Sequence, residues 1–492
     1  MRNGSGLKAF VGVAILFPAV GVVTAARADV TISGDPTSNM SCTSGVCAPT
    51  AGSAVLNAGD LQTLLASGNV TVTTTGSDVQ AGNIDVTTKL GWSSNVLTLD
   101  AYQSLSVSAP VTVKGKGKST GLAILTDDGG SGGELAFFGK GHVTYKNLSG
   151  SLAIDGTKYT LETSIATLAA AIKNNRGGAF ALVANYNASA DGTYTNSPIV
   201  TPFTGLFEGL GNTISNLTIE SLVAPKNYAI GLFTSLGQGG EVDNVGLSNV
   251  SVSIRKRPKE GFWEGTLVGL NNGTISRSFA QGMLTSPKKS IFSGGLVGNN
   301  NAGLIRQCFA NVTVTSSSGS NSLAGGLVGQ NGGSITDSYA VGDVGNGSLA
   351  FVGALAGSNP GIISNSYATG NATSFEGSAG GLIGVNGDGE NGIVSASYST
   401  GKPNGASEAT GGLIGSDESQ SGSVTNSYWD TDSSGITNLG QGAGTPANDP
   451  GITGLSTAQL QTGLPAGFDP SIWAETPAIN NGLPYLIANP PQ

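Results

Sequence analysis

The chain has 492 residues, of which 78 are glycine, 11% are charged and 6% are aromatic, and its formal net charge is −9. This composition excludes several compact globular domains, which would carry more large apolar residues, and the 38% hydrophobic content excludes a disordered linker. An acidic chain is not built for general nucleic-acid binding. Abundant Gly, Val, Ile, Thr and Asn indicate many short strands joined by tight turns.

The N-terminus, residues 1–28, has the pattern of a secretory signal peptide. Arg2 and Lys8 give a positive start, residues 9–24 are apolar, and the small-x-small sequence ARA follows. The alternative is a membrane anchor, although an apolar run of about 16 residues is short for a span. We expect export, cleavage before Asp29, and a mature chain of formal charge about −12 without a transmembrane segment.

Cys42 and Cys47 enclose the sequence CTSGVC and predict a small disulfide loop in an oxidising compartment. A metal site is the weaker alternative, because no second cysteine pair or histidine cluster accompanies them. The third cysteine, Cys308, takes a slot where neighbouring repeats have serine. We therefore expect it to be a small filler.

Residues 29–160 alternate apolar and polar side chains in places, which predicts irregular coils of a solenoid. Examples are NVTVTT, VLTLDA and LSVSAPVTVKG, which begin at residues 69, 96 and 105. Two short helices are expected. One is GDLQTLLASG, residues 59–68, and the other begins at the cap-type residue Ser164 in the connecting segment 161–200.

A repeat of about 30 residues occupies residues 201–435. Each copy has an apolar phrase, such as GGLVGQN, and then a polar phrase, such as SITDSYA. The leucines of the apolar phrase are Leu206, Leu232, Leu267, Leu296, Leu327, Leu355, Leu382 and Leu413. The apolar runs are short and end at Gly or Asn, which favours a parallel β-solenoid over helical repeats. One repeat cannot bury its own apolar face, so it must stack on its neighbours.

The polar phrase predicts which side chains face the interior. The positions three and five residues after its leading Ile or Val are apolar or small in every copy, so both columns should face inward. The position between them should face outward, and it holds Phe279, Phe309, Tyr339, Tyr367, Tyr398 and Tyr428. In register these side chains would form an outward aromatic column. The alternative puts the aromatic residues in the core, with Ser and Ala outside.

Glycine and asparagine in the apolar phrase have a local interpretation. Glycine accepts positive φ, and asparagine tolerates the left-handed region. We therefore expect GNN at 298–300 and GQN at 329–331 to form corners of the coils.

Residues 436–492 differ from the repeat and contain eight prolines. Ser456 and Gln459 have the spacing of a capping box. Because a solenoid end exposes unpaired strand edges, Phe468, Trp473 and Tyr485 predict a capping C-terminal segment.

The phrases GGLVGQN…GSITDSYAVGDV and GGLIGSDESQSGSVTNSYWDTDSSG resemble the GLUG repeat of exported bacterial surface proteins, among them filamentous-haemagglutinin-like adhesins and some immunoglobulin A peptidases. The resemblance covers about residues 201–435, and residues 90–117 and 203–219 look like haemagglutinin-type exoprotein sequence. It implies an all-β, right-handed parallel β-helix, the usual hand of parallel crossovers. It also implies secretion or display at the bacterial surface, with outer-membrane association as one form.

Two features of those relatives are missing. The chain has no NPNG-like signature of a two-partner secretion domain. His142 is the single histidine, so the zinc-binding H-E-x-x-H of the peptidases cannot be present. The acidic residues are scattered in loops rather than paired as glycoside chemistry needs. We expect no enzyme activity and no cofactor, with a carbohydrate-active β-helix enzyme as the alternative.

A calcium-loop opening, D-x-D-x-S-G, occurs once, at Asp430, Asp432 and Ser434. The twelfth position of that loop is Gln441 rather than Glu. An Asp- and Ser-rich turn at the end of the repeats is therefore favoured over a metal site.

Two basic clusters stand out in this acidic chain. They are Arg255, Lys256 and Arg257, and Lys288 and Lys289, with Lys259 near the first. Both clusters begin 13 residues after the leading apolar residue of a polar phrase, so coils in register would stack them. The bland alternative is two independent solvated loops. The functional interpretation is an anchor for an acidic glycan or an anionic surface polymer.

These features together predict a secreted or surface-displayed, adhesin-like structural or binding protein. Its expected partners are surface glycans or host and matrix proteins. A passive surface spacer is the second alternative.

Overall fold

The computed structural model describes residues 29–221, 228–254, 262–286, 291–316, 318–406, 409–445 and 449–492. The predicted signal peptide lies outside these residues. The described chain is an all-β parallel solenoid with a few short helices, which confirms the predicted fold class. None of the helices in the described ranges is long and apolar enough to cross a membrane.

The N-terminal part forms three sheets. The first has strands Ala54–Asn57, Asp29–Ser33, Asn83–Val86, Leu105–Val107 and Leu135–Phe137. The second has Met40–Thr43, Val46–Pro49, Val70–Thr73, Val96–Asp100, Gly121–Leu125, Ser151–Ile154 and Thr157–Lys158. The third has Leu90–Trp92, Pro110–Val113 and His142–Tyr145. The alternating apolar and polar runs that begin at residues 69, 96 and 105 therefore form strands of the coils.

The repeats build three long sheets, here called A, B and C. Sheet A has Thr160–Glu162, Ala179–Leu182, Leu206–Glu208, Glu241–Asp243, Thr274–Ser276, Leu304–Arg306, Ser334–Thr336, Ile362–Ser364, Ile393–Ser395 and Val424–Thr425. Sheet B has Phe233–Leu236, Val268–Asn271, Val297–Asn300, Val328–Asn331, Ala356–Asn359, Ile383–Asn386, Ile414–Asp417 and Ala443–Thr445. From Leu232 onward, the apolar phrase supplies sheet B and the start of the polar phrase supplies sheet A. The first predicted copy is out of step with the others, because Leu206–Glu208 lies in sheet A and Thr213–Ser215 lies in sheet C.

Sheet C takes the end of the polar phrase and the variable residues after it. Its strands are Tyr186–Asn187, Thr193–Tyr194, Thr213–Ser215, Thr218–Ser221, Ala229–Ile230, Gly246–Ile254, Phe262–Glu264, Phe279–Ser286, Ile291–Gly294, Phe309–Ser316, Ser318–Gly325, Tyr339–Ala340, Val344–Gly353, Tyr367–Ala368, Ala372–Ser374, Ser378–Gly380, Tyr398–Ser399, Pro403–Asn404, Thr410–Gly411, Ser427–Asp430 and Ile452–Leu455. A last antiparallel pair, Trp473–Ala474 with Tyr485–Leu486, lies outside the three sheets.

Equivalent residues of consecutive coils pair directly. Ile275 pairs with Ile305, and Ile305 pairs with Ile335, in parallel register. Parallel strands lie about 4.8 Å apart, so any residue type that recurs at one position of the repeat becomes a continuous column.

The two predicted helices are present, and Thr431–Ser434 is a further helix that the sequence did not predict. Their bounds are Ala58–Ser67, Ile165–Asn174, Thr431–Ser434 and Thr457–Leu460, with 3₁₀ turns at Ala188–Asp191 and Asn480–Gly482. The Ser164 side chain caps the second helix by accepting from the Thr167 N–H, as predicted. Ser456 and Gln459 form the predicted capping box.

Two apolar cores share the strand Ala179–Leu182 as a common wall. Phe180 and Leu182 belong to the core of the repeats, whereas Ala181 belongs to the core of the N-terminal part. Successive side chains of a strand point to opposite faces. The strand can therefore bury both faces, and the N-terminal part packs against the outside of the first repeat coils.

The corners differ from the prediction. Residues 297–300 and 328–331 are strands of sheet B rather than turns. The left-handed residues lie two positions after the leading Ile or Val of the polar phrase. They are Asn216, Asn244, Arg277, Gln307, Asp337, Asn365, Ala396 and Asn426, with φ between 45° and 59°. Glycine is needed at position 329 for a different reason, the close approach of a neighbouring backbone. A Cβ there would lie 2.6 Å from the Gly298 carbonyl oxygen.

Candidate functional site

The two predicted interior columns are buried in every coil. The column three positions after the leading residue is at most 1% exposed, and the column five positions after it is fully buried. In the first column, the Ser338 hydroxyl donates to the Thr336 carbonyl at 2.8 Å and accepts from the Cys308 N–H at 3.1 Å. Cys308 is a free, buried thiol in the same column, which confirms its interpretation as a filler.

A ladder of asparagines runs along the end of sheet B. It consists of Asn271, Asn300, Asn331, Asn359 and Asn386, and each Nδ2 donates to the Oδ1 of the next asparagine at 2.7–2.8 Å. All five are fully buried. The ladder ends where Asn386 donates to Asp417 at 3.2 Å. These polar side chains join coils to one another, and the sequence carried their signal as an asparagine at the end of each apolar phrase.

The aromatic column faces away from the repeat core, on the predicted side of the wall. Phe279, Phe309, Tyr339, Tyr367 and Tyr398 stack with centroid separations of 4.8–5.1 Å and interplanar angles of 3–9°. The column belongs to an apolar cluster separate from the repeat core. It is nevertheless covered, because Tyr339, Tyr367 and Tyr398 are at most 1% exposed.

The C-terminal segment covers the column. Phe468, Trp473 and Leu486 belong to the same apolar cluster as the column, and the Trp473 ring lies 5.9 Å from the Tyr398 ring and 6.1 Å from the Tyr367 ring. The segment predicted as an end cap therefore lies along the side of the solenoid. Its first two strands, Ala443–Thr445 and Ile452–Leu455, extend the ends of sheets B and C.

An ion network connects the N-terminal part to the repeats. Glu134 lies 3.0 Å from Arg277 and also pairs with Arg306. Arg277 further donates to the Asn244 side chain at 3.3 Å and the Gln307 side chain at 3.1 Å. Burial alone would raise the pKa of Glu134, but the two guanidinium groups outweigh it and hold that pKa below its usual value.

Two further carboxyl groups lie in this junction. Burial, with a contribution from the Asp243 charge, raises the pKa of Glu208 to about 8. Burial also raises the pKa of Asp243 to about 6, against the opposing charge of Arg277. The Leu210 N–H and the Asn244 amide donate to Glu208 at 2.7 and 3.2 Å. Glu208 is buried, whereas the Asp243 side chain beside Arg277 is 21% exposed.

A cavity of about 120 Å³ adjoins the junction. Its walls include Phe137 and Phe138 of the N-terminal part, Phe279 of the aromatic column and Asn489 of the C-terminal segment. Neither Glu208 nor Asp243 is among the described residues that line it. Polar side chains, among them Arg277, Asn244 and Gln307, line the cavity together with these aromatic rings.

The predicted basic residues Arg255, Lys256, Arg257, Lys288 and Lys289, with Lys259, lie outside the described residues. The strands on either side of them are described. Val252 pairs with Leu284 before the two loops, and Phe262 pairs with Ile291 after them. The strands that precede residues 255–261 and 287–290 are therefore neighbours on adjacent coils, and so are the strands that follow them.

The two carboxylates of the calcium-loop candidate, Asp430 and Asp432, accept hydrogen bonds from groups of the protein. Asp430 caps the helix Thr431–Ser434 by accepting from the Asp432 and Ser433 N–H groups, and it accepts from the Thr457 hydroxyl at 2.6 Å. Asp432 accepts from the Thr457 N–H. These carboxylates tie two short helices together. Within the described ranges, no group of three or more His, Cys, Asp or Glu residues is arranged to hold a metal.

The remaining residues singled out from the sequence are Cys42, Cys47 and His142. Cys42 and Cys47 form a disulfide across the antiparallel strands Met40–Thr43 and Val46–Pro49. The His142 Nδ1 lies 3.0 Å from the Lys140 carbonyl oxygen, at the start of a strand of the third N-terminal sheet.

Comparisons with known proteins match parts of the chain. Residues 320–345 match the GLUG motif. A stretch of 136 residues, 27% of the chain, is 32% identical to Halomucin of Haloquadratum walsbyi, and the chain spans about 1% of the length of that protein. A solved Bacteroides ovatus protein, provisionally described as an immunoglobulin A1 protease, is 19% identical, with a TM-score of 0.43 over 67% of this chain and 93% of that one.

Proposed function

We propose that this protein is an exported, surface-displayed binding protein of the filamentous-haemagglutinin-like adhesin type. Its loops between residues 254 and 262 and between residues 286 and 291 contact acidic glycans or other anionic surface polymers. The observation that carries the proposal is the register of the flanking strands, Val252 with Leu284 and Phe262 with Ile291.

The charge distribution supports this assignment. The five basic residues of the two clusters belong to segments that join strands of adjacent coils, whereas the whole chain has a formal charge of −9. A local group of cations on an acidic protein attracts polyanions to one place and repels them elsewhere. Arginine and lysine are also the side chains that pair best with sulfate, phosphate and carboxylate groups.

A binding role without catalysis fits the use of the polar side chains. The asparagine and serine columns join coils, Asp430 and Asp432 fix helices, and Glu134 holds the junction. The protein is therefore proposed to act as a scaffold that presents loops rather than as a carbohydrate-active enzyme.

The experiment is a glycan-binding screen of residues 29–492, with sulfated, uronic-acid and neutral glycans side by side. In the test variant Arg255, Lys256, Arg257, Lys288 and Lys289 become Glu. In the matched control five exposed lysines of the N-terminal part, Lys114, Lys116, Lys118, Lys140 and Lys146, become Glu. The proposal expects acidic glycans to bind the wild type and the control but not the test variant. Equal binding by the test variant would remove it.

A further inference from the structure

The aromatic column is not part of the apolar core of the repeats. Its rings form a separate apolar cluster, while the Ser and Ala columns on the other side of the same strands fill the solenoid interior. The stacked rings of Tyr339, Tyr367 and Tyr398 are therefore a rigid wall, built by the register of the coils.

The segment that covers this wall has little structure of its own. After the helix Thr457–Leu460, residues 461–492 are all described, and they contain one antiparallel pair of two-residue strands and one 3₁₀ turn. An isolated pair of this kind is marginal in water. The apolar anchors of the segment, Phe468, Trp473 and Leu486, are buried in the cluster that the column forms. The segment therefore takes its shape from the column.

Recognition uses the backbone of the segment. The Tyr398 hydroxyl donates to the Pro484 carbonyl at 2.6 Å, and the Tyr339 hydroxyl donates to the Pro490 carbonyl at 3.3 Å. The Tyr428 hydroxyl donates to the carbonyl of Ala466, which follows a proline, at 2.7 Å. The Pro484 carbonyl also accepts from the Asn480 side chain within the segment at 2.9 Å, so the turns of the segment help to present this carbonyl to Tyr398. Aromatic grooves bind proline-containing chains in other settings.

The link between the segment and the solenoid is exposed. Gln461, Thr462 and Gly463 are all exposed residues. The Gly463 N–H donates to Glu475, and the Gln461 side chain donates to the Asn481 carbonyl, so both bonds join the link to the segment and neither joins it to the aromatic column. A surface hinge before a segment that docks as a unit is the arrangement that permits exchange between copies.

We propose that the aromatic column is a peptide-binding groove for a proline-containing segment with aromatic anchors. The C-terminal segment, residues 464–492, is its resident occupant, and the same segment of a second copy of the chain can replace it in trans. Exchange links neighbouring molecules without a new interface, and it does not depend on the basic loops of the proposed function.

The first test uses the full chain with a protease site inserted between Thr462 and Gly463. After folding and cleavage, a fluorescent peptide of residues 464–492 is added, and its binding is followed by anisotropy. The proposal expects saturable exchange with the resident segment. A peptide in which Phe468, Trp473 and Leu486 are alanine should not bind. Failure of the native peptide to exchange, or equal binding by the alanine peptide, overturns the proposal.

Two matched groove variants test the recognition chemistry. Tyr398→Phe removes the donor to Pro484 and the acceptor of the Asn480 side chain, so peptide affinity should fall about 5- to 10-fold. The Tyr367 hydroxyl has no hydrogen-bond partner among the described residues. Tyr367→Phe should therefore leave affinity within about twofold or improve it. Equal losses in both variants would contradict recognition through the hydroxyl groups.

Exchange in trans is tested with two differently tagged, uncleaved chains, mixed at high concentration and separated by size. The proposal expects dimers that carry both tags, and none when both chains carry Phe468→Ala and Trp473→Ala. Monomers alone in the wild-type mixture would overturn the assignment of a second copy as the partner.

Discussion

The Nδ2 atom of Asn300 donates a hydrogen bond to the Oδ1 atom of Asn331 over 2.7 Å, and both side chains are fully buried. The same relationship repeats from coil to coil, so each asparagine is donor and acceptor at once. A buried amide in this arrangement is satisfied only when its neighbouring coils are present. The ladder therefore couples the register of one coil to the next.

Asn331→Leu should destabilise the solenoid by about 3 kcal/mol. The substitution leaves the buried Asn359 side-chain oxygen without the Asn331 donor, and it also removes the bond from Asn331 to the Ile362 carbonyl. Asn301→Ala is the matched control, since Asn301 makes a similar bond to Asn272 at an exposed position and should cost less than about 0.5 kcal/mol. Urea unfolding midpoints of both variants check this. Equal midpoints would contradict the coupling role of the ladder.

Ala396→Asn should stabilise the protein by about 0.5–1 kcal/mol. Ala396 has φ of 45°, in the left-handed region that costs an L-residue energy and that asparagine tolerates better. Asn365 has φ of 46° at the same place in the preceding coil, so Asn365→Ala should destabilise by a similar amount. Thermal unfolding of the two variants gives the comparison. A melting temperature that rises in both variants, or falls in both, would contradict the assignment of the effect to the left-handed backbone conformation.

Glu264→Gln should remove a pH dependence from the stability. Burial raises the pKa of Glu264 to about 8, although the Ser293 hydroxyl donates to the carboxyl at 3.2 Å. The folded state then holds a proton that the unfolded state releases near pH 4.5, so this stability is present below about pH 4.5 and is lost as pH rises towards 8. The stability gain of the Gln variant should grow over that window, by at most about 1.4 kcal/mol per pH unit.

The measurement is the unfolding free energy of the wild type and the Gln variant from pH 4 to pH 9. Glu418→Gln, at an exposed position, controls for the loss of a surface carboxylate. A stability gain of the Glu264→Gln variant that is the same at every pH would contradict the buried, protonated carboxyl group.

Arg277→Ala should weaken the junction more than Arg306→Ala. The Arg277 side chain is 13% exposed and bonds Glu134, Asn244 and Gln307, whereas that of Arg306 is 33% exposed. Loss of Arg277 leaves buried acids without their main cation and should cost about 2–3 kcal/mol, against about 1 kcal/mol for Arg306. Chemical unfolding, with limited proteolysis of residues 126–134, measures the difference. A larger loss of stability in Arg306→Ala than in Arg277→Ala would contradict the central role of Arg277 in the junction.

The fold was predictable because its signal is local and repeated. Ser338 and Ala340 alternate with Tyr339 in each copy of the polar phrase, so the sides of the wall follow from a period of two. The corners were misassigned because asparagine suits both a left-handed turn and a side-chain ladder. The true corner residues include Arg277 and Ala396, whose types carry no turn signal.

The contacts between distant parts of the chain were not predictable. Glu134 and Arg277 are far apart in the sequence, and neither lies in a pattern that indicates the other. The apolar residues of the C-terminal segment indicate that it packs against another part of the chain. The sequence does not distinguish the end of the solenoid from the aromatic column as that partner. The choice between them depends on where Tyr428 and Phe468 meet in three dimensions.

The most direct test of the account is the affinity of the protein for one sulfated glycan, measured by titration calorimetry at several salt concentrations. Contact through the basic loops predicts binding that weakens steadily as salt rises, since the interaction is between exposed charges. The charge-reversal variant at residues 255–257, 288 and 289 should not bind at any salt concentration, while the five-lysine control should follow the wild type. Wild-type affinity in the charge-reversal variant at low salt would contradict the proposed function.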